Sequence, residues 1–519
     1  MRGRFRLRIE RIEEKQPRGN RGDDHAVAIS FVLLALLFPL GFVYKALNEE
    51  SPLHSLHSIG DGTPPSEIFE LDHPAFADIR QHEATLPQHH MPTSVTQTRP
   101  RYVYFPCEVS AGWNNVFQEQ LLNTHLAYLA GRGYVFVDYI ARHHPPFRDT
   151  LANGTRLPLH IPMNAFTAGP TGGGSLGDGV DPAISRAISL AWWDTVCRQP
   201  QIIEIQMTEM VQELNITESS TGEERLMRWA EKLRNIGAEC VKVVGGSPFD
   251  LDFIGSDKVI SIWPSYRRSP ALKEFAWSAL VTRALSRNFS LFSSGWRPAA
   301  ISPSPWYRIN PGKGSTSSPY PLSAFSPYRV GATPIAGLLA IHVRRGDYAK
   351  HCYHLVELGL DYNAWNIFGR PDIRSTSRYP QLPDYLSVPD GQSRAGAAYT
   401  HCWPSPTQMV ERVRAVRAAS GSGRVFPAQR LHTVYVATNG NAEWVRVLVD
   451  LLKADGWAKV STSLEMRLAR DELAVSQAVD MAVLMSAETF IGVGFSSLSS
   501  NVVQLRLAGG RHPETNRFW

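Results

Sequence analysis

The apolar positions of this chain fall into short blocks of two kinds. Over its last third, blocks at 433–438, 459–462 and 489–493 have the length of strands, whereas 443–454, 471–487 and 497–507 carry apolar residues at helical spacing. Strand and helix alternate with short links, the order that builds a doubly wound parallel sheet. Near the other end, 102–107 and 134–140 read as strands flanking a helix over 115–131, in which Val116, Leu121, Leu122, Leu126 and Leu129 fall near 3.6-residue spacing. This is a second β-α-β unit. In the middle the pattern predicts helices over 187–199, 223–236 and 272–288 and strands over 240–244 and 259–263. The Gly-, Pro- and Ser-rich stretches 167–182 and 297–330 read as loops or linkers. The second of these sets the expected boundary between an N-terminal Rossmann-like domain, 100–325, and a C-terminal one, 326–519. A Tyr/Pro/Arg-rich insertion over 351–405 precedes a helix over 406–419.

One apolar block ends differently. Leu338-Leu339-Ala340-Ile341-His342-Val343 runs straight into Arg344-Arg345-Gly346-Asp347. Such a run reads as a buried strand of a parallel sheet, and ligands of open α/β sheets bind just beyond the carboxyl ends of the strands. A guanidinium leaving a buried strand is fixed in place, keeps its proton, and presents a planar fork of donors suited to a diphosphate. His342 lies on the face of Arg344, since alternate strand residues point the same way, and Arg345 points the opposite way. Two further segments offer groups for an anion at a helix start. Ser496 and Ser497 follow Gly492-Val493-Gly494, and Asn114 and Asn115 follow Gly112-Trp113.

The segment His342-Val343-Arg344-Arg345-Gly346-Asp347 resembles the His-x-Arg-Arg-x-Asp segment of the protein O-fucosyltransferases and α-1,6-fucosyltransferases. The segment from Asp480 through Phe490-Ile491-Gly492 to Ser496-Ser497 resembles the family's C-terminal ending, and Gly112-Trp113-Asn114-Asn115 resembles its Gly-Phe-Asn or Gly-Asn-Gln turn. The resemblance implies a GT-B-like architecture, with two facing doubly wound Rossmann-like domains, and an inverting, metal-independent transfer of fucose from GDP-fucose to a protein or glycan hydroxyl. It implies no cofactor beyond that donor. Arg344 and Asp347 are implied as catalytic. His342, Arg344, Asp480, Ser496, Ser497, Gly112, Asn114 and Asn115 are implied as nucleotide-sugar-binding, with Asp480 facing the guanine. Some relatives carry a Glu immediately before the glycine of the turn; here that residue is Ala111. Glu108 and Glu119 do not inherit its role by position.

Residues 26–44 hold no charge over about the ~20 positions that cross a bilayer. Residues 1–25 hold eight Lys/Arg against five Asp/Glu, and Glu49 and Glu50 follow the apolar run. The expectation is a cytosolic tail over 1–25, one transmembrane signal anchor over 26–46, a solvated His- and Pro-rich stem over 47–99, and the body inside the endoplasmic reticulum or Golgi. A cleaved signal peptide is the rival, with a shorter apolar core than this one. Five cysteines permit two disulfides of open connectivity, and sequons begin at Asn153, Asn215 and Asn288. The net charge of +5 comes with scattered basic residues and no zinc spacing, which argues against nucleic acid as a partner. Asp250-Leu251-Asp252 reads as a surface turn rather than a metal clamp.

Overall fold

Two parallel sheets carry the chain, each built around a central strand with little exposure. The structure is a computed structural model that describes residues 76–90, 99–106, 111–141, 159–293, 328–329, 334–346, 348–374, 378–422 and 431–519. These belong to one unit, Phe69–Trp519. The tail, the anchor, the expected domain boundary at 325–326, Cys107, Asn153 and Asp347 lie outside the described residues. Among the described residues no helix is long and apolar enough to cross a membrane.

The first sheet comprises β1 (Tyr102–Tyr104), β2 (Gly133–Phe136), β3 (Ile188–Ser189), β4 (Ile202–Gln206) and β5 (Cys240–Val244), ordered β3-β2-β1-β5-β4. The second comprises β6 (Ile335–Val343), β7 (Thr433–Thr438), β8 (Lys459–Thr462), β9 (Ala487–Gly492) and β10 (Asn516–Phe518), ordered β8-β7-β6-β9-β10. Every pairing within both sheets is parallel. The helices that matter for the site are α1 (Trp113–Leu129), α2 (Gly222–Asn235), α3 (Ala279–Arg287), α4 (Tyr348–Glu357), α5 (Arg394–Cys402), α6 (Pro406–Ser422), α7 (Ala442–Ala454), α8 (Ser476–Ser486) and α9 (Ser497–Ala508).

In each sheet the chain order reverses direction at the central strand, β1 in the first and β6 in the second. Open α/β sheets bind ligands at such a point, where the connections on either side of the centre lead to opposite faces. β6 is buried along its length except at Ala336. Leu338, Leu339 and Ile341 each contribute roughly 1.5–3 kcal/mol by leaving water. The second sheet follows the predicted alternation closely, with β10 an additional edge strand.

The middle of the chain departs from expectation. Residues 257–262 form a 3-10 turn running into a short helix, Trp263–Tyr266, rather than a strand. The helix predicted over 272–288 is broken by a two-residue strand, Ala276–Trp277, before α3. β4 was not foreseen, because only one of its five residues is buried and an edge strand with wet faces shows no apolar run. Residues 76–90, read as stem, fold onto the body: Phe76, Ile79 and Leu86 are buried, and His89 stacks on Trp192. α1 is buried on more than one face. Asn114, Gln118, Glu119, Gln120, Asn123, Thr124 and His125 are buried beside its leucines, because the helix packs against elements of both halves and has no wet side.

Asp250 is the N-cap of a short helix, with Oδ1 accepting the Phe253 N–H at 2.8 Å. Disulfides join Cys197 to Cys240 and Cys352 to Cys402. Of the sequons, Asn215 is exposed. Asn288 is buried, with Nδ2 donating to Ala284 O and Arg467 O, both at 2.9 Å, which leaves its amide nitrogen engaged within the fold.

Candidate active site

Ile341 pairs with Ile491, so Arg344 and Gly494 leave their strands at about the same level. On the other side Val343 pairs with Thr438, whose Oγ1 donates to Val343 O at 2.7 Å. Arg344 therefore emerges at the carboxyl edge of the sheet, between the loop after β7 and the loop into α9. Its guanidinium lies 5.5 Å from the centre of the Tyr348 ring. Arg345 turns the other way and is held tightly. Its guanidinium is sandwiched between Trp403 at 4.1 Å and Trp444 at 4.3 Å, its backbone N–H donates to Asn439 Oδ1 at 2.7 Å, and its side chain donates to Pro404 O and to Arg344 O. Anchoring one arginine in this way fixes the backbone from which the other projects.

His342 is buried, and burial with the neighbouring Arg344 lowers its pKa to about 3, so the ring is neutral. Its Nδ1 lies 3.0 Å from Ser499 Oγ, which also accepts the Val493 N–H at 3.0 Å. The imidazole thus holds the β9–α9 loop from below. That loop is closed further by Asn366, whose Nδ2 donates to Gly494 O at 2.8 Å and to Ser496 O at 3.2 Å. Gly494 is required by contact: a Cβ there would sit 2.5 Å from the Tyr362 ring. Ser496 is the buried N-cap of α9, and Ser497, half-buried, is its first residue.

The first turns of α1 and α8 are bonded together and to the second turn of α9. Asn114, in the first turn of α1, donates from Nδ2 to Gln477 Oε1 in the first turn of α8 at 3.1 Å. Its backbone and side-chain oxygens accept from Asn501 Nδ2 of α9 at 2.7 and 3.2 Å. Asn114 therefore spends its amide on bridging the two halves, while the side chain of Asn115, in the same turn, is half-buried and makes no such bridge. Helix starts present unpaired N–H groups and the positive end of the peptide dipole, so the start of α9, which follows β9 at the level of Arg344, favours an anion.

Asp480 lies on α8 one turn beyond Gln477 and accepts the Tyr435 hydroxyl at 2.6 Å. Burial pushes its carboxyl up to about 7, against the pull of that hydrogen bond. The folded-state value lies above the unfolded ~3.9, so the proton is held more tightly in the fold. The contribution is complete below about pH 4 and is lost as pH rises through about 7. Asp480→Asn, which keeps the acceptor oxygen, is expected to gain thermal stability relative to the wild type at pH 8 but not at pH 4. Melting both proteins across pH 4–8 checks this; a difference independent of pH would contradict it.

Glu119 is buried and its carboxyl is also pushed up to about 7 by burial, with Ser247 and Asn123 as hydrogen-bond partners. Ala111 is buried immediately before the α1 turn and offers no titratable group. The sequence reading missed Gln477, Asn501 and the Trp403–Trp444 cradle. Of these, only Trp403 and Trp444 left a signal, since an indole face can stack on a cation.

Fold and edge together define a parallel-sheet α/β protein with Arg344 at the carboxyl end of the central strand of its second sheet. No family model matches the chain, and no curated protein matches it. Among solved structures, the chain is similar to POFUT1 in complex with GDP-fucose, with 13% identity and a TM-score of 0.44 over 82% of this chain and 99% of that one. POFUT1 in complex with GDP gives 13% identity and a TM-score of 0.45, over 81% and 98%. NodZ α-1,6-fucosyltransferase soaked with GDP-fucose gives 13% and 0.32, over 78% and 93%.

Proposed function

We propose that this chain is an inverting, metal-independent glycosyltransferase of GT-B organisation that transfers fucose from GDP-fucose to a hydroxyl of a protein or glycan. The observation that carries the reading is the position of Arg344. It lies in a segment resembling the fucosyltransferase signature, at the carboxyl end of the central strand, level with the loop that leads into α9. In the reaction the acceptor oxygen attacks the anomeric carbon from the side opposite the diphosphate. The carbon–oxygen bond to the β-phosphate breaks, its electron pair leaves with GDP, and the acceptor hydroxyl releases its proton to solvent. Charge grows on the departing phosphate oxygen, where Arg344 and the α9 start with Ser496 and Ser497 stabilise it without a metal. Asp480, held by Tyr435, is the group proposed to face the guanine.

The same reading puts the body in the secretory pathway, anchored by residues 26–44. The Cys197–Cys240 and Cys352–Cys402 disulfides support an oxidising compartment. A second reading is a luminal binding protein that keeps the fold without turnover, and it is favoured by Ala111 standing where some relatives carry a carboxylate.

Incubating the full chain with GDP-fucose and with other nucleotide sugars, in EDTA, and measuring nucleotide release separates these. GDP release from GDP-fucose is the expected result. Release from another donor alone changes the sugar, and binding without release across the set favours the second reading.

A further inference from the structure

The first helical residue after β6 carries a buried hydroxyl that the other described residues leave unanswered. Tyr348 opens α4 four residues after Arg344; it is 6% exposed, and its Oη has no hydrogen-bond partner among the described residues. Buried hydroxyls are nearly always bonded, because an unpaired one forgoes the hydrogen bond that water supplied before folding. The Arg344 guanidinium stands over the ring of Tyr348 at 5.5 Å, and the His351 ring lies 5.2 Å away on the same helix. Burial raises the phenol above its ordinary value, with Arg344 opposing, so the group remains an O–H donor at neutral pH.

The ring is also held where it is. Cys352, one turn along α4, is bonded to Cys402 at the end of α5, and the next residue, Trp403, is one wall of the Arg345 cradle. The disulfide therefore joins the aromatic platform of Arg344 to that of Arg345.

We propose that Tyr348 is a donor-binding residue whose hydroxyl donates a hydrogen bond to a diphosphate oxygen of the nucleotide sugar held by Arg344. This rests on the glycosyltransferase reading above. No proton is transferred; the hydroxyl adds a neutral donor beside a charged fork, at an oxygen that gains charge as the glycosyl bond breaks. Sequence alone gave no reason to single out Tyr348, since a tyrosine at a helix start more often packs than binds.

Tyr348→Phe keeps the ring under Arg344 and removes only the oxygen. Without nucleotide, the variant is expected to melt at the wild-type temperature or above it, because the hydroxyl it loses has no partner among the described residues. With GDP, titrated by calorimetry into the full chain, its affinity is expected to fall about tenfold or more. A melting temperature below that of the wild type in the absence of nucleotide would show that the hydroxyl serves the fold and would overturn the proposal. Unchanged GDP affinity, with the wild type binding normally, would overturn it while leaving the glycosyltransferase reading intact. No binding of any nucleoside diphosphate by the wild type would overturn both.

Discussion

Arg344→Ala is expected to lower turnover of GDP-fucose at least ~100-fold, the scale on which loss of one donor to a developing oxyanion is felt. Arg344→Lys is expected to recover little of it. Lysine restores the charge but not the planar pair of donors, and its ammonium sits on a flexible stem instead of a guanidinium supported by the Tyr348 ring. Nucleotide release with GDP-fucose measures kcat, and a parallel GDP titration measures ground-state binding. If the guanidinium acts mainly as the bond breaks, kcat falls further than affinity. A Lys variant with near wild-type turnover would show that the fork geometry is immaterial.

Glu472→Ala is expected to cost about 3 kcal/mol of stability, the low end of what breaking a buried ion pair costs. The Glu472 side chain is fully buried and takes Arg283 Nε at 2.9 Å, the Arg287 guanidinium, and the Ala469 N–H at 2.7 Å. Arg283 also pairs with Asp471. Both arginines belong to α3 and are about a third exposed, so water partly compensates them when the carboxylate is removed, which sets the estimate at the low end. The interaction bolts α3 to the turn that leads into α8 and so holds the segment carrying Gln477 and Asp480. Urea denaturation of the two proteins checks the value, and a loss under about 1 kcal/mol would mean that the bolt does not carry the junction.

The second sheet was readable from sequence because its strands are covered on both faces and so appear as unbroken apolar runs between helices of regular period. Its central strand, and the charged residues that end it, stood out for the same reason. The first half was harder to read. β4 is wet, β3 is two residues long, and α1 is buried on sides that carry Gln118, Glu119 and Asn123, so polarity misleads where two layers meet. The Tyr/Pro/Arg-rich insertion over 351–405 shows no strand or helix periodicity of its own in the sequence. In the fold its residues Tyr362, Trp365 and Asn366 pack against or bond to the start of α9, and its helices carry the disulfide beside the two arginines. The use of Asn114 as a bridge was also hidden, since it depends on Gln477 and Asn501, more than three hundred residues away in sequence.

Amide hydrogen exchange of the full chain with and without GDP tests the location of the donor site most directly. The account predicts slowed exchange over 344–348, the first turn of α8 near Gln477 and Asp480, and 493–499, with little change along the edge strand β4. Protection confined to other segments, with none at 344–348 or 493–499, would contradict it.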